Sequence, residues 1–114
     1  MIVKLTNPDR EDFFLRMHKE YIVLSVQTNI EGVFYRILSD NDNGPIIVNA
    51  DSFILTENSI PFDWSGEAQN NAFCIEPKEF CNDFWEKYYD EDKEAEKIFY
   101  RVYQKLKKFH GWDD

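Results

Sequence analysis

Two thiols, two imidazoles and many carboxylates are the groups in this 114-residue chain with the types to do chemistry. Cys74 or Cys81 would act as a nucleophile only beside a base that takes the thiol proton, and the two histidines, His18 and His110, are remote from both in sequence. Neither cysteine sits in a nucleophile motif, so both read as reduced, buried thiols. With Cys81 expected on a helix, a disulfide between them is not expected. His18 reads as a residue of a first helix and His110 as a cation at a helix C-terminus. The run Asp40-Asn41-Asp42-Asn43-Gly44 has the composition of a calcium loop. Started at Asp40, however, that frame puts Pro45 where a glycine is required, and started at Ser39 it puts Ala50 where the bidentate Glu belongs. A tight turn with positive φ at Asn43-Gly44 accounts for the same residues. The chain has no glycine-rich phosphate loop, no zinc-type spacing of Cys and His, and no Gly-x-Ser-x-Gly elbow. No catalytic residue, cofactor-binding residue or metal ligand is expected, and the carboxylates are too abundant for one acid/base pair to stand out.

What remains is charge. Asp and Glu number 22 against 13 Lys and Arg, a formal net charge of −9. Residues 37–77 carry Asp40, Asp42, Asp51, Glu57, Asp63, Glu67 and Glu76 without one Lys or Arg. Such a surface repels bare nucleic acid and anionic membranes and calls for a basic partner. Because 43% of residues are apolar and 17% aromatic, the charge belongs to a folded body and not to a disordered acidic tail. Asp40, Asp42, Asp51, Glu57, Asp63 and Glu67 are therefore the candidate partner-binding residues, with Trp64 among them as an aromatic anchor. The other reading of Trp64 is a core plug beneath a solvated acidic face.

These residues need a frame. Met1 to Leu5 favours a strand, and Asn7-Pro8, with Asp9, Glu11 and Asp12 behind it, predicts a helix start whose buried face is Phe13, Phe14 and Met17. Tyr21 to Thr28 and Gly32 to Ser39 predict an antiparallel pair joined at Asn29-Ile30-Glu31-Gly32. Ile46 to Val48 and Ser52 to Thr56 predict one or two more strands of the same meander. Residues 57–71 read as a long connection, and Ala72 to Ile75 as a last short strand. Beyond Pro77 the period is helical: Phe80, Phe84, Trp85 and Tyr88, then Ala95, Ile98, Phe99, Val102, Leu106 and Phe109, with Gly111 as terminator. Asp90-Glu91-Asp92 divides two helices, one continuous helix being the alternative. The expected fold is α+β, a single domain over 1–114. It comprises an antiparallel sheet of three to five strands with an N-terminal helix and two C-terminal helices packed against it. With no apolar run long enough to span a bilayer and no signal-like N-terminus, a cytoplasmic location is expected.

In size, acidity, lack of a catalytic motif and cytoplasmic character, the whole chain resembles bacterial immunity proteins, which neutralise a cognate toxin inside the cell. That resemblance implies tight one-to-one binding of a basic toxin, possibly a nuclease, and no enzymatic activity of its own. Two other readings stay open. One is a nucleic-acid mimic that inhibits a defence nuclease, which requires carboxylates in rows at phosphate-like spacing. The other is a small ligand-binding or enzymatic domain in which Tyr88, Tyr89, Tyr100 and Tyr103 line a pocket between sheet and helices.

Overall fold

The computed structural model describes residues 1–7, 15–40 and 44–112. Seven strands form one antiparallel sheet: β1 (Ile2–Leu5), β2 (Glu20–Asn29), β3 (Gly32–Leu38), β4 (Pro45–Asn49), β5 (Phe53–Glu57), β6 (Trp64–Gln69) and β7 (Ala72–Pro77). A short helix α1 (Phe84–Tyr89) and a long helix α2 (Lys93–Phe109) follow.

The β2–β3 hairpin forms where Val, Ile, Tyr and Phe dominate both strands, closed by Ile30-Glu31, with Asn29 Oδ1 accepting from the Glu31 N–H at 2.8 Å. Strand β4 extends the meander, but β5 leaves it to pair with β1, giving the order β4-β3-β2-β1-β5. Only the 3-10 turn Ala50–Ser52 joins β4 to β5, the two ends of that path. Such a link reaches roughly 14 Å at most, so the sheet must curl back on itself. Strand β2 is the branch point, pairing β1 through Glu20 to Ile22 and β7 through Val26 to Thr28. Between these stretches its register against β3 slips at Val23/Ser25.

Alternation along β1 and β2 divides the interior in two. Val3, Leu5, Tyr21 and Val23 fill the inside of the curl with Leu15, Ile37, Val48 and Phe53. Ile2, Ile22 and Leu24 point the other way, to Trp64, Phe80, Phe84, Ala95, Phe99, Val102 and Leu106. Phe80, wholly buried in the 3-10 turn Lys78–Phe80, packs its ring 4.8 Å from Phe84 and 4.8 Å from Trp85.

Helix α2 begins where Asp92 accepts from the Ala95 N–H at 3.0 Å, and it buries Ala95, Phe99, Val102 and Leu106 at spacings of four, three and four. It ends in a Schellman motif, with Trp112 N–H to Lys107 C=O at 2.8 Å, Gly111 N–H to Lys108 C=O at 3.1 Å, and Gly111 at φ 72. Helix α1 ends the same way, Asp92 N–H to Lys87 and Glu91 N–H to Tyr88, but the left-handed position is held by Glu91 at φ 62. A Cβ is costly there. Glu91→Gly is therefore expected to stabilise the chain by about 1 kcal/mol, read as a higher urea midpoint at unchanged m-value.

The structure overturns the expected fold. The sheet has seven strands and not three to five, flanked by one long helix and one short one and not by an N-terminal helix and two C-terminal helices. Of the predicted N-terminal helix start, Asn7 gives its N–H to the Ser52 carbonyl at 3.2 Å, and Pro8 to Phe14 lie outside the described residues. Of its remainder, Leu15 is buried in the inner core, and Met17-His18 is a turn with His18 at φ 66, incompatible with a right-handed helix. The long connection contains β6, because Asn70 and Asn71, at φ 51 and 66, make the two-residue turn of a β6–β7 hairpin. Strand β5 joins β1 and not the meander, and Cys81 lies between the 3-10 turn and α1, outside any helix. Among the described residues, no helix is long and apolar enough to cross a membrane.

Candidate protein-binding surface

The acidic residues of the middle segment separate into used and unused charges. Asp40, just past β3, is used: it pairs with Lys19 and accepts from the Tyr21 hydroxyl, tying the end of the meander to the start of β2. Asp42 lies outside the described residues. Asp51 stands exposed in the 3-10 turn between β4 and β5, its N–H held by Asn49 Oδ1 at 2.8 Å. Glu57 closes β5 and accepts from the Ser59 N–H at 3.0 Å, a bond that holds its carboxyl below the ordinary carboxylate value. Asp63 lies in the turn before β6, and Glu67 is exposed within β6. Among the described residues, Asp51, Glu57, Asp63 and Glu67 make no ion pair within 4 Å, although Glu57 also lies in the field of His110 and the N-terminal ammonium. The helical carboxylates differ: Asp83 pairs with Lys87, Glu94 with Lys97, Glu96 with Lys93, and Glu79 of the 3-10 turn with Lys105 of α2.

The unused carboxylates do not gather into one patch. Asp63 sits on a cleft of about 300 Å³ between the β5–β6 connection and α2, with Phe62, Trp64, Val102, Leu106 and Phe109 on its walls. Glu67 borders a hollow with Gln27, Phe73 and Cys74, and Asp51 another with Phe34 and Ile47. What they share is company. Phe62 beside Asp63 is 101% exposed, and Ile54 and Leu55, between Asp51 and Glu57, are 50% and 49% exposed. Trp64 is only 9% exposed and belongs to the core, so the exposed aromatic of this region is its neighbour Phe62.

A buried polar cluster beneath α1 escaped the sequence reading. Arg36 on β3 and Glu76 on β7 are 6% and 7% exposed, and Ser25, opposite Arg36 on β2, is wholly buried. The Arg36 guanidinium lies 4.2 Å from the Trp85 ring centroid and 5.9 Å from that of Tyr89. Trp85 Nε1–H donates to Glu76 at 3.1 Å, and the Tyr89 hydroxyl donates to the Pro45 carbonyl at 2.8 Å. Burial pushes the Glu76 carboxyl above its ordinary value, while the Trp85 N–H and the Arg36 charge pull it back. Burial, with Glu76 alongside, also pushes the Cys74 thiol up to about 12, so it stays protonated and weakly nucleophilic at neutral pH. Among the described residues, Arg36 Nε and Nη1 and Ser25 Oγ have no hydrogen-bond partner. The cluster pins α1 to the sheet by one buried cation held between aromatic rings. Its signal in the sequence was Arg36, the one charge in the strand Val33 to Leu38.

The tyrosines do not converge on one pocket: Tyr89 packs on Arg36, Tyr103 stacks on Phe99 at 5.9 Å, and Tyr100 is 67% exposed. His18 is exposed in its turn, and Cys74 and Cys81 are free and half-buried. Comparison with protein-family models, curated proteins and solved structures finds no match to the chain.

Proposed function

We propose that this chain is an acidic inhibitor of the immunity type, acting in the cytoplasm and capturing a basic protein partner one to one, a toxin of the nuclease kind being the class that best suits the charge. The observation that carries this reading is the company kept by the unused carboxylates. Asp51, Glu57 and Asp63 stand next to Ile54, Leu55 and Phe62, large apolar side chains left in water. Carboxylates outside ion pairs steer a basic protein and speed encounter, and apolar groups at the same places hold what arrives. A nucleic-acid mimic instead needs long rows of carboxylates at regular spacing, whereas Asp51, Asp63 and Glu67 border three separate hollows.

The test is recovery of the partner from a lysate of the cell that makes this protein, followed by association kinetics of the purified pair. One basic protein in near-equal amount is expected, with an association rate that falls roughly tenfold between low and ~0.5 M salt. Neutralising Asp51, Glu57, Asp63 and Glu67 together (to Asn or Gln) should lower that rate to a similar degree. Phe62→Ala should speed dissociation at least tenfold while shifting folding stability by no more than about 0.5 kcal/mol. Recovery of no protein at low salt, or an association rate indifferent to salt, rejects the reading.

A further inference from the structure

We propose that the cleft between the β5–β6 connection and α2 is where the partner is gripped, and that it takes an apolar side chain of that partner with a Lys or Arg beside it. The inference rests on the capture reading above and says where the grip lies. The Trp64 N–H donates to the Pro61 carbonyl at 3.3 Å, a turn that sets Phe62 and Asp63 together at its two corners. Ile60 and Trp64 anchor this turn on either side by packing into the core that α2 covers. Asp suits such a corner, but turn geometry does not ask for Phe, and the Phe62 ring stands wholly in water.

The cleft that the turn borders is graded from dry to wet. Trp64, Val102 and Leu106 are buried, Phe109 is half-exposed and Phe62 fully exposed. Pro61 and Pro77 stiffen the lining, and a 3.5 Å ion pair between Glu79 and Lys105 ties the 3-10 turn to α2 there. An occupant finds walls already set and loses little binding energy to ordering them. At about 300 Å³ the cleft is at the small end for a free ligand and suits one large side chain. By contrast, Gln27, Asn29, Gln69 and Asn70 line most of the hollow beside Glu67, and water satisfies such amides as well as a partner does. Interface anchors are apolar or aromatic groups seated in packed pockets, which only the first cleft offers of these two.

Charge identifies the occupant. Three charged residues line the cleft, and since Glu79 and Lys105 pair with each other, Asp63 is the carboxylate left outside an ion pair among the described residues. A Lys or Arg flanking an apolar anchor meets Asp63 at the mouth as the anchor enters. A fatty-acid-like anion would meet the same carboxylate, and Lys105 is already engaged by Glu79. A second copy of this chain also fits badly. Inserting its Phe62 would carry its own Asp63 onto the carboxylates here, between two bodies of net charge −9 each.

The probe is an acetylated, amidated tripeptide, Lys-Phe-Lys, titrated to roughly 5 mM into the intact chain labelled with ¹⁵N and in its methyl groups. Shift changes should centre on Phe62 to Trp64, Val102, Leu106 and Phe109, and include the buried Trp64 indole N–H. The matching Lys-Ala-Lys peptide should bind about tenfold more weakly, and Glu-Phe-Glu about threefold more weakly. Asp63→Asn in the protein should remove most of the difference between the two phenylalanine peptides, and Phe62→Ala should weaken Lys-Phe-Lys about threefold at unchanged melting temperature. The assignment is overturned by an absence of shifts around the cleft, by equal binding of the alanine or the glutamate peptide, or by a dimer that Phe62→Ala dissolves. The two readings fail separately. A purified basic partner that binds while leaving the Trp64 indole and the Leu106 methyls unmoved keeps capture standing and removes the cleft. Peptide binding in the cleft with no basic protein recovered supports the cleft and removes the inhibitor.

Discussion

Phe80→Ala is expected to cost about 4 kcal/mol, the largest single loss available in this chain outside backbone changes. The ring is wholly buried where the 3-10 turn hands the chain from β7 to α1, and it touches Phe84, Trp85 and Phe99 at once. Truncation leaves a cavity between the sheet and both helices that none of them can close without moving the others. Because a domain of this size is stable by only about 5–15 kcal/mol, the urea midpoint should fall by about a quarter or more. A loss below about 1 kcal/mol would mean that the helices repack freely, against the close stacking described. Phe62, of the same residue type but fully exposed, is the internal control.

Arg36→Met is expected to produce the second-largest loss, and that loss depends on pH. With the guanidinium gone, the buried Glu76 carboxylate keeps the Trp85 N–H but loses its counter-charge, so its pKa, already raised by burial, rises further. A carboxyl whose folded pKa lies above its unfolded value gives stability that is fully present below the unfolded value and is lost as pH rises through the folded one. The variant should therefore lie close to the parent near pH 4, below the ordinary carboxylate pKa, where Glu76 is protonated in both states and the unpaired guanidinium nitrogens are also removed. Near pH 8 it should be weaker by about 3 kcal/mol. Adding Glu76→Gln should restore most of the loss, since the amide oxygen still accepts from Trp85 and carries no charge. Chemical denaturation of the parent, single and double variants at the two pH values separates this account from simple loss of packing, which would be equal at both.

How much of this was legible in the sequence follows from which interactions are local. The β2–β3 hairpin is written in its own residues, and α2 in the spacing of Ala95, Phe99, Val102 and Leu106, the cap at Asp92 and the stop at Gly111. Strand β6 was not legible by composition, because Trp-Ser-Gly-Glu-Ala-Gln has one strong strand former. Its turn, Asn70-Asn71, was the signal, since asparagine tolerates the left-handed backbone that a two-residue hairpin needs. The first helix was inferred from capping and first-turn residues and an apolar face of Phe13, Phe14 and Met17, yet Leu15 and Met17 serve the inner core from outside any helix. Charge was the least legible. Nothing local in Asp40 or Glu76 says that one is claimed by Lys19 from 21 positions away and the other is buried against Trp85. Asp51, Glu57, Asp63 and Glu67 were found by composition, and their apolar neighbours only by structure.

The curl of the sheet also sets an order of events. The β2–β3, β3–β4 and β6–β7 pairings close over short turns and can form as soon as their residues are available. Strand β1 meets β2 only across a longer connection, and its contact with β5 joins residues as much as 55 positions apart. Loop closure on that scale is the slow kind. The inner core of Val3, Leu5, Val23 and Ile37 can lose its water only once that contact is made. A chain still waiting for it displays an open seam of apolar side chains next to an unguarded strand. The speed of that last closure governs how long the folding chain is exposed to aggregation.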